Sequence, residues 1–514
     1  MGTALTTTSP SAAGSATRYH LFDRIFTRHL MYAAILLVLP VILAQTLRVP
    51  AEMLRDADLW WHIADVRTLV VTHHFIRMEP YSFTVAGKRW INPEWLAEIP
   101  YWAGLRLFGL SGIYLVTWLL LASNVLFVYW RGFRHSGHAS ASFWAAALGF
   151  ALMTLNSGPR TIIPGYLCLS AELAILDAWE RGSRRAVWLL PPLFCLWTNL
   201  HGSWIIGIGL FVLYLLCGSV PVNRGLFEQP SRSREETRTL LSVLAVSLCA
   251  LMVNPYGWRM IWNPLDMMFN QPLNIANAEE WHPLNLAWFV GKAAVLAIVL
   301  MIVAGCLRSR RWKLYEFAFV IFAWFAAFDH ARFTFLAAVI AMPILAAQMA
   351  KSFYTRPASQ GRPGMNALLT VGALVMLVRI FPSAASLRQD MADVYPEHLI
   401  ASIQPGWRTF NSVAIGGEMA FDGKPSFMDS RLDTFEHHGV LADYIGIMHI
   451  EDTIALLDRY RVDHILYEKN TALAYLIQRT PGWKAVMDEG RGPDEYVLFA
   501  RTVERTAASS KGTR

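Results

Sequence analysis

The 514-residue sequence predicts a mainly α, polytopic membrane helix bundle of about eleven spans, with a small extracytoplasmic α/β domain at its C-terminal end. Three observations predict it. Charged residues make up 16% of the chain, where average globular domains carry roughly 25%. Hydrophobic residues make up 54%, and the mean hydropathy is +0.34. The apolar runs are separated by short Arg/Lys clusters, the pattern of loops that stay cytoplasmic.

The net charge of +7 does not mark a nucleic-acid partner, because the basic residues sit at the ends of apolar runs, where lipid head groups lie. Residues 1–29 read as a cytoplasmic tail, disordered over its Ser/Thr/Ala/Gly-rich first part. The first apolar run, about 30–48, is too long for a signal peptide and reads as a retained helix. Further spans are expected at about 111–130, 139–156, 161–178, 186–198, 203–219, 239–255, 288–307, 314–328, 332–350 and 366–382. Eleven spans place every Arg/Lys cluster on one side, including Arg24 and Arg28, Arg131 and Arg134, Arg232 and Arg234, Arg310 and Arg311, and Lys351 and Arg356. The positive-inside rule makes that side cytoplasmic.

Residues 94–108 carry Glu94, Glu98 and Arg106 and are expected to lie at the interface as an amphipathic helix. The extracytoplasmic parts are then a long first loop at 49–110, which belongs with the membrane domain 30–382, a mid-chain loop at about 256–287, and the domain 383–514. In that domain, 410–415, 426–428, 464–467, 485–487 and 496–500 read as strands, and 432–448 and 451–461 as helices. The five cysteines, Cys168, Cys195, Cys217, Cys249 and Cys306, all fall in apolar stretches and read as small hydrophobes.

The polar residues cluster. In Arg55-Asp56-Ala-Asp58-Leu-Trp-Trp-His62-Ile-Ala-Asp65, a helix puts Asp58, His62 and Asp65 on one face and Leu59, Trp60 and Ile63 on another. Two carboxyls and an imidazole on one face fit a general-base site. They also fit a solvated, capped helix anchored by tryptophans, and the motif alone leaves both readings open. Other membrane-edge turns carry Arg160; Asn199 and His201; Asn254, Tyr256 and Arg259; and Asp329, His330 and Arg332. The loop after Arg259 adds Glu279, Glu280 and His282. Each turn alone has a capping or anchoring explanation. Together they describe one outward-facing polar cavity, since polar groups at this depth must face water or one another. Arg160, Arg259 and Arg332 suit a phosphate or diphosphate. Glu172, inside a span, is expected to pair within the bundle.

An acidic Asp-x-Asp element opening a long first loop, with this topology, resembles the GT-C superfamily of integral membrane glycosyltransferases. Protein O-mannosyltransferases, aminoarabinose transferases of lipid A and oligosaccharyltransferases belong to it. A set of segments resembles a group of bacterial multispanning proteins of that type: Asp58-Leu-Trp-Trp-His62, Asn92-Pro-Glu94-Trp-Leu, Trp197-Thr-Asn-Leu-His201-Gly, Asn254-Pro-Tyr-Gly-Trp258, Ala331-Arg-Phe333, Phe410-Asn-Ser and Met428-Asp-Ser-Arg431.

The resemblance implies transfer of a sugar, with inversion, from a polyprenyl-phosphate or polyprenyl-diphosphate donor to an extracytoplasmic acceptor at the bacterial inner membrane. It implies Asp58 as the base, with Asp56 the alternative and His62 beside them, and outer-face arginines as holders of the donor phosphate. Asp65, Glu94, Asn199, His201, Asn254, Tyr256, Asp329 and His330 are then expected to line the cavity. No cofactor is assigned. Glu279 and Glu280 are the one candidate pair for a divalent metal, and that site stays unassigned. Donor sugar, acceptor and oligomeric state are not written in the chain. The C-terminal part lacks a Trp-Trp-Asp-x-Gly motif, which argues against oligosaccharide transfer to Asn. Two competing classes remain: a flippase or transporter of lipid-linked sugars, disfavoured by the lack of inverted repeats, and a non-catalytic scaffold of envelope assembly.

Overall fold

A computed structural model describes residues 25–46, 54–307, 311–354 and 362–502. Of the tail expected over 1–29, residues 1–24 lie outside the described residues, as do Arg308, Arg310 and Arg356, while Arg28 and His29 are not tail but open the first helix. All eleven stretches expected to span are helical: α1 (Arg28–Thr46), α4 (Leu110–Ser136), α5 (Ala139–Met153), α6 (Ile162–Glu180), α7 (Leu190–Leu200), α8 (Trp204–Gly218), α9 (Arg234–Ala250), α12 (Phe289–Leu307), α13 (Leu314–Asp329), α14 (Thr334–Phe353) and α15 (Pro363–Ile380). Among the described residues, α4, α6, α12 and α15, with α5 and α14 extended by their adjoining 3₁₀ turns, are long and apolar enough to cross a bilayer unaided. Arg28–Leu43, Ala186–Leu200 and Trp204–Gly218 are shorter apolar helices. The chain is a multi-pass membrane protein.

Helix α14 is apolar on every face and buried from Thr334 to Met349, so it forms the centre of the bundle. Small residues let its neighbours come close: Gly132 of α4 lies against Ala346, and Gly149 of α5 against Met342. Helix α15, by contrast, buries only Asn366 and Thr370, and Asn366 donates a hydrogen bond to the Phe26 carbonyl. Glu172 of α6 is fully buried, and neither carboxyl oxygen has a hydrogen-bond partner. The expected pairing is not made among the described residues: Glu172 Oε2 lies against Gly207, whose missing side chain offers it no partner.

The first loop holds α2 (Leu59–Thr72) and α3 (Trp95–Phe108), the latter within the stretch expected to be amphipathic. The mid-chain loop holds α10 (Trp258–Asn270) and α11 (Pro272–Asn277). Beyond α15 come α16 (Ala384–Val394), α17 (Glu397–Ser402), α18 (Val413–Phe421), α19 (Leu432–Glu436), α20 (Val440–Met448), α21 (Thr453–Arg459) and α22 (Ala472–Arg479). A short antiparallel hairpin, β1 (Val222–Arg224) with β2 (Phe227–Gln229), follows α8. The C-terminal sheet has the order β3 (Thr409–Asn411), β4 (His464–Glu468), β6 (Tyr496–Arg501), β5 (Trp483–Glu489). Its β3–β4 pair is parallel (Phe410 beside Ile465), and the other two pairs are antiparallel.

Three expectations for this region are corrected. The strand over 410–415 stops at Asn411, because the Ser412 hydroxyl caps α18 at Ala414 N (3.3 Å). Residues 426–428 form one bridge, Ser82 to Ser426, and no strand. The Asn411 side chain takes the place of a partner strand, accepting from Phe427 N (2.7 Å) and donating to the Met428 carbonyl (2.9 Å). The helix over 432–448 is broken at Gly439, which adopts φ 74°.

The first loop and the C-terminal part share one apolar core. Leu59, Trp60 and Ile63 of α2 and Tyr101 of α3 pack with Leu399, Ile415, Met419 and Leu498. Gly417 of α18 is part of the reason α2 can sit there. A Cβ at that position would stand 2.3 Å from the Ala57 carbonyl oxygen, so only glycine allows the two backbones to meet beside Asp58.

Candidate active site

A cavity of about 520 Å³ opens where the first loop, the mid-chain loop and the C-terminal part converge. Its first wall is the start of α2. Asp56 accepts from Arg160 Nε (2.8 Å) and from the backbone N–H of Asp58 (3.1 Å), which orders the turn ahead of the helix. Asp58 accepts from the Trp61 indole (3.2 Å), and the same N–H reaches Ser430 Oγ of the C-terminal part (3.0 Å). Asp58 is half-buried and makes no ion pair among the described residues. Burial, then the charge of Asp56, pushes its carboxyl up to about 6.

Behind this wall lies a closed polar network. His62 Nδ1 bonds Glu98 (2.6 Å), and its Nε2 stands 3.6 Å from Glu94. Burial disfavours the imidazolium, but Glu98, Glu94 and Asp58 outweigh it and raise His62 to about 9, so the ring is charged at neutral pH. The Asn92 amide donates to Glu98 (2.7 Å) and to Asp65 (2.8 Å), and the Tyr81 hydroxyl donates to Asp65 (2.6 Å). Burial and the nearby Glu98 push Asp65 well above the usual carboxylate range.

Glu94 lines the cavity itself. It accepts from the Thr161 hydroxyl (2.5 Å) and from His201 Nε2 (3.1 Å). The Nδ1 of that histidine accepts from Ser203 N (2.9 Å), which assigns the proton to Nε2. Burial works against its charge, yet His201, His62 and Thr161 bring Glu94 down to about 2.

The second wall carries the cations. Glu280, on the single 3₁₀ turn Glu279–Trp281, bridges two arginines: one oxygen pairs with Arg160 Nη1, the other with Arg332 Nη1 at 3.0 Å. The Arg332 guanidinium also lies over the Trp281 ring, 4.3 Å from its centre. The Tyr101 hydroxyl donates to the Arg160 carbonyl and Asn156 to the Arg332 carbonyl, so both arginine backbones are anchored.

The third wall is C-terminal: Ser430, Arg431, Leu432 and Asp433. Arg431 is buried and doubly paired, to Glu79 (2.5 and 2.9 Å) and to Asp429 (2.5 and 2.9 Å), with its guanidinium over Trp90 (4.7 Å) and Tyr81 (5.0 Å). Burial raises Asp433 to about 6.

The expected residues thus divide. Asp56, Asp58, Glu94, Arg160 and Arg332 line the cavity. His62, Asp65 and His201 stand behind its wall. Arg259 lies apart, its guanidinium 5.9 Å from the Trp258 ring centre. Asn199 accepts from the Trp95 indole and donates to Cys195 O and Val253 O; Asn254 closes its own turn on Gly257; the Tyr256 hydroxyl reaches the Ile76 carbonyl. The Asp329 side chain is 54% exposed beside His330, whose Nδ1 bonds the Trp281 carbonyl (2.5 Å). Those residues therefore hold loops in place and do not form the wall.

No protein-family model and no curated protein sequence matches the chain. Its backbone is similar to solved structures. One is the archaeal oligosaccharyltransferase AglB from Archaeoglobus fulgidus in complex with an inhibitory peptide and a dolichol-phosphate (11% identity, 80% of this chain and 65% of that one, TM-score 0.49). Another is ArnT from Cupriavidus metallidurans bound to undecaprenyl phosphate (14%, 95% and 98%, 0.46). A third is the arabinofuranosyltransferase AftD from mycobacteria (14%, 90% and 40%, 0.49). The chain spans just under two thirds of that oligosaccharyltransferase. With TM-scores below 0.5, the functional reading rests on the cavity itself.

Sequence reasoning missed Trp61, Trp90, Trp281, Ser430 and Asp433 as wall residues. Asp58-Leu-Trp-Trp-His62, which holds Trp61, and Met428-Asp-Ser-Arg431, which holds Ser430, offered a signal, as parts of the resemblance. Among the described residues no group of three or more His, Cys, Asp or Glu is placed to hold a metal ion.

Proposed function

We propose that the chain is a membrane glycosyltransferase that moves a sugar, with inversion, from a polyprenyl-phosphate or polyprenyl-diphosphate donor to an extracytoplasmic acceptor of the cell envelope. One observation carries the reading. A carboxylate with a raised pKa and no ion pair, Asp58, shares an open cavity with a pair of arginines, Arg160 and Arg332. In this reading Asp58 takes the proton of the acceptor hydroxyl as its oxygen attacks the anomeric carbon. The bond from that carbon to the phosphate oxygen breaks, its electron pair stays on the phosphate, and the arginines stabilise the charge that develops. A phosphate leaving group needs little acid catalysis, in keeping with an arginine-lined wall.

Asp56 is spent on Arg160, and His62 is an enclosed imidazolium. We therefore assign them positioning roles: Asp56 sets Arg160, and His62 fixes Glu94 and Glu98. The membrane is the bacterial inner membrane, with the N-terminus cytoplasmic and the C-terminal part outside.

The test is purified protein in detergent with radiolabelled polyprenyl-phosphate and polyprenyl-diphosphate sugars and envelope glycan acceptors. Wild type transfers label. Asp58→Asn, nearly isosteric but unable to accept the proton, loses about 10²–10⁴-fold in rate. Label that crosses vesicles without donor consumption identifies a transporter, and a protein inert in both assays is a scaffold.

A further inference from the structure

Glu280 stands where a phosphate would. Its two oxygens are divided between Arg160 and Arg332, as two non-bridging phosphate oxygens would be. Asp56 and Glu280 together carry two negative charges against the two guanidinium charges, so the group is neutral with Glu280 in place. We propose that Glu280 is a displaceable stand-in for the donor phosphate, and that it makes the site selective for a sugar linked through a single phosphate rather than a diphosphate. This rests on the glycosyltransferase reading and specifies its donor.

The exchange is one for one. A prenyl phosphodiester brings one negative charge and two free oxygens, as the Glu280 carboxylate does, and leaves the group neutral. A diphosphate adds a further negative charge within a wall already carrying Asp56, Asp58 and Glu94. Like charges in such a site cost affinity.

Displacement needs no movement of the backbone. The turn around Glu280 is pinned by Ala331 N to the His282 carbonyl (2.9 Å), by Leu284 N to the Phe328 carbonyl (3.1 Å) and by His330 on the Trp281 carbonyl. The Glu280 side chain itself is 30% exposed and can rotate from the arginines into water. The buried Nε of Arg332 has no hydrogen-bond partner among the described residues. It is a spare donor for the third oxygen that the phosphate gains when the glycosidic bond breaks.

The experiment measures binding of methyl geranyl phosphate (a monoanionic phosphodiester) and P1-methyl P2-geranyl diphosphate (a dianionic diester) to the full-length protein in detergent. Calorimetry gives Kd, and the part of the tryptophan fluorescence change that Trp281→Phe removes reports on the Arg332 contact. Wild type should bind the phosphodiester about tenfold more tightly than the diphosphate. Glu280→Gln, which keeps the shape and drops the competing charge, should tighten phosphodiester binding about tenfold and narrow the preference. Glu280→Asp, too short to span both arginines, should tighten it as well and guards against a folding artefact in the first variant. Unchanged or weaker binding in both variants overturns the stand-in, and preference for the diphosphate overturns the selectivity. If Arg332→Ala leaves binding of both probes intact, the donor-phosphate reading itself falls, an outcome distinct from either.

Discussion

Replacing Arg431 by Met tests the joint between the first loop and the C-terminal part. The arginine is 4% exposed and donates four hydrogen bonds of 2.5–2.9 Å to Glu79 and Asp429, whose side chains are fully buried. Removing one partner of a buried ion pair costs about 3–5 kcal/mol, mostly from the charge left behind. Here one guanidinium serves two carboxylates, so the upper end of that range is expected. The lost stacking on Trp90 and Tyr81 adds about 0.5–1 kcal/mol each. Pulse proteolysis across a urea series, read at cleavage sites within 382–502, reports the loss. The variant Glu79→Gln/Asp429→Asn/Arg431→Met removes the stranded charges and should recover most of the stability. If Arg431→Met unfolds with the wild type, or if the triple variant is weaker than the single one, the electrostatic reasoning is wrong.

Three further outcomes follow from the cavity and the packing beside it. Since a base works only when ionised and Asp58 is pushed up to about 6, the transfer rate should rise with pH through about 6 and level off above it. Asp56→Asn removes the adjacent charge that helps raise Asp58, so the acid limb should move to lower pH; a limb that stays in place assigns it to another group. Gly417→Ala puts a methyl 2.3 Å from the Ala57 carbonyl, a backbone atom that no rotamer change relieves. It should cost about 1–3 kcal/mol and lower the transfer rate by displacing Asp58, with donor binding little changed; equal loss of donor binding would show a general collapse instead.

What was legible in the sequence follows from the range of each signal. A helix announces itself within twenty residues through apolar length and flanking arginines, so all eleven stretches were readable. Asp58 beside Asp56, and arginines at membrane edges, were readable as local polar intrusions. Whether such an arginine reaches the cavity was not. Arg160 and Arg259 sit at comparable turns, yet Arg160 meets Asp56 and Glu280 while Arg259 turns onto its own neighbour Trp258. The difference lies in packing between distant segments, which leaves no periodic trace. The same holds for Ser430 and Asp433, which reach the site only because α18 docks on α2. The failed strand at 426–428 is the converse case: its residues suit a strand, but the Asn411 side chain supplies the hydrogen bonds that a strand partner would have made.

The meeting of Gly417 with Ala57, and of Arg431 with Glu79, also sets an order of events during synthesis. The ribosome delivers Glu79 and Asp58 more than three hundred residues before the groups that complete their surroundings. Until then the acidic loop has no counter-charge from Arg431, and the apolar side of α2 has only residues such as Tyr101, Ile113 and Tyr114 for cover. The cavity is therefore completed only once residues 413–433 have been made, and a chain stopped before them leaves Glu79 without its Arg431 partner. Such a segment is the kind of surface that proteases and chaperones recognise, so closure of this cavity reports that the chain has been made beyond residue 433.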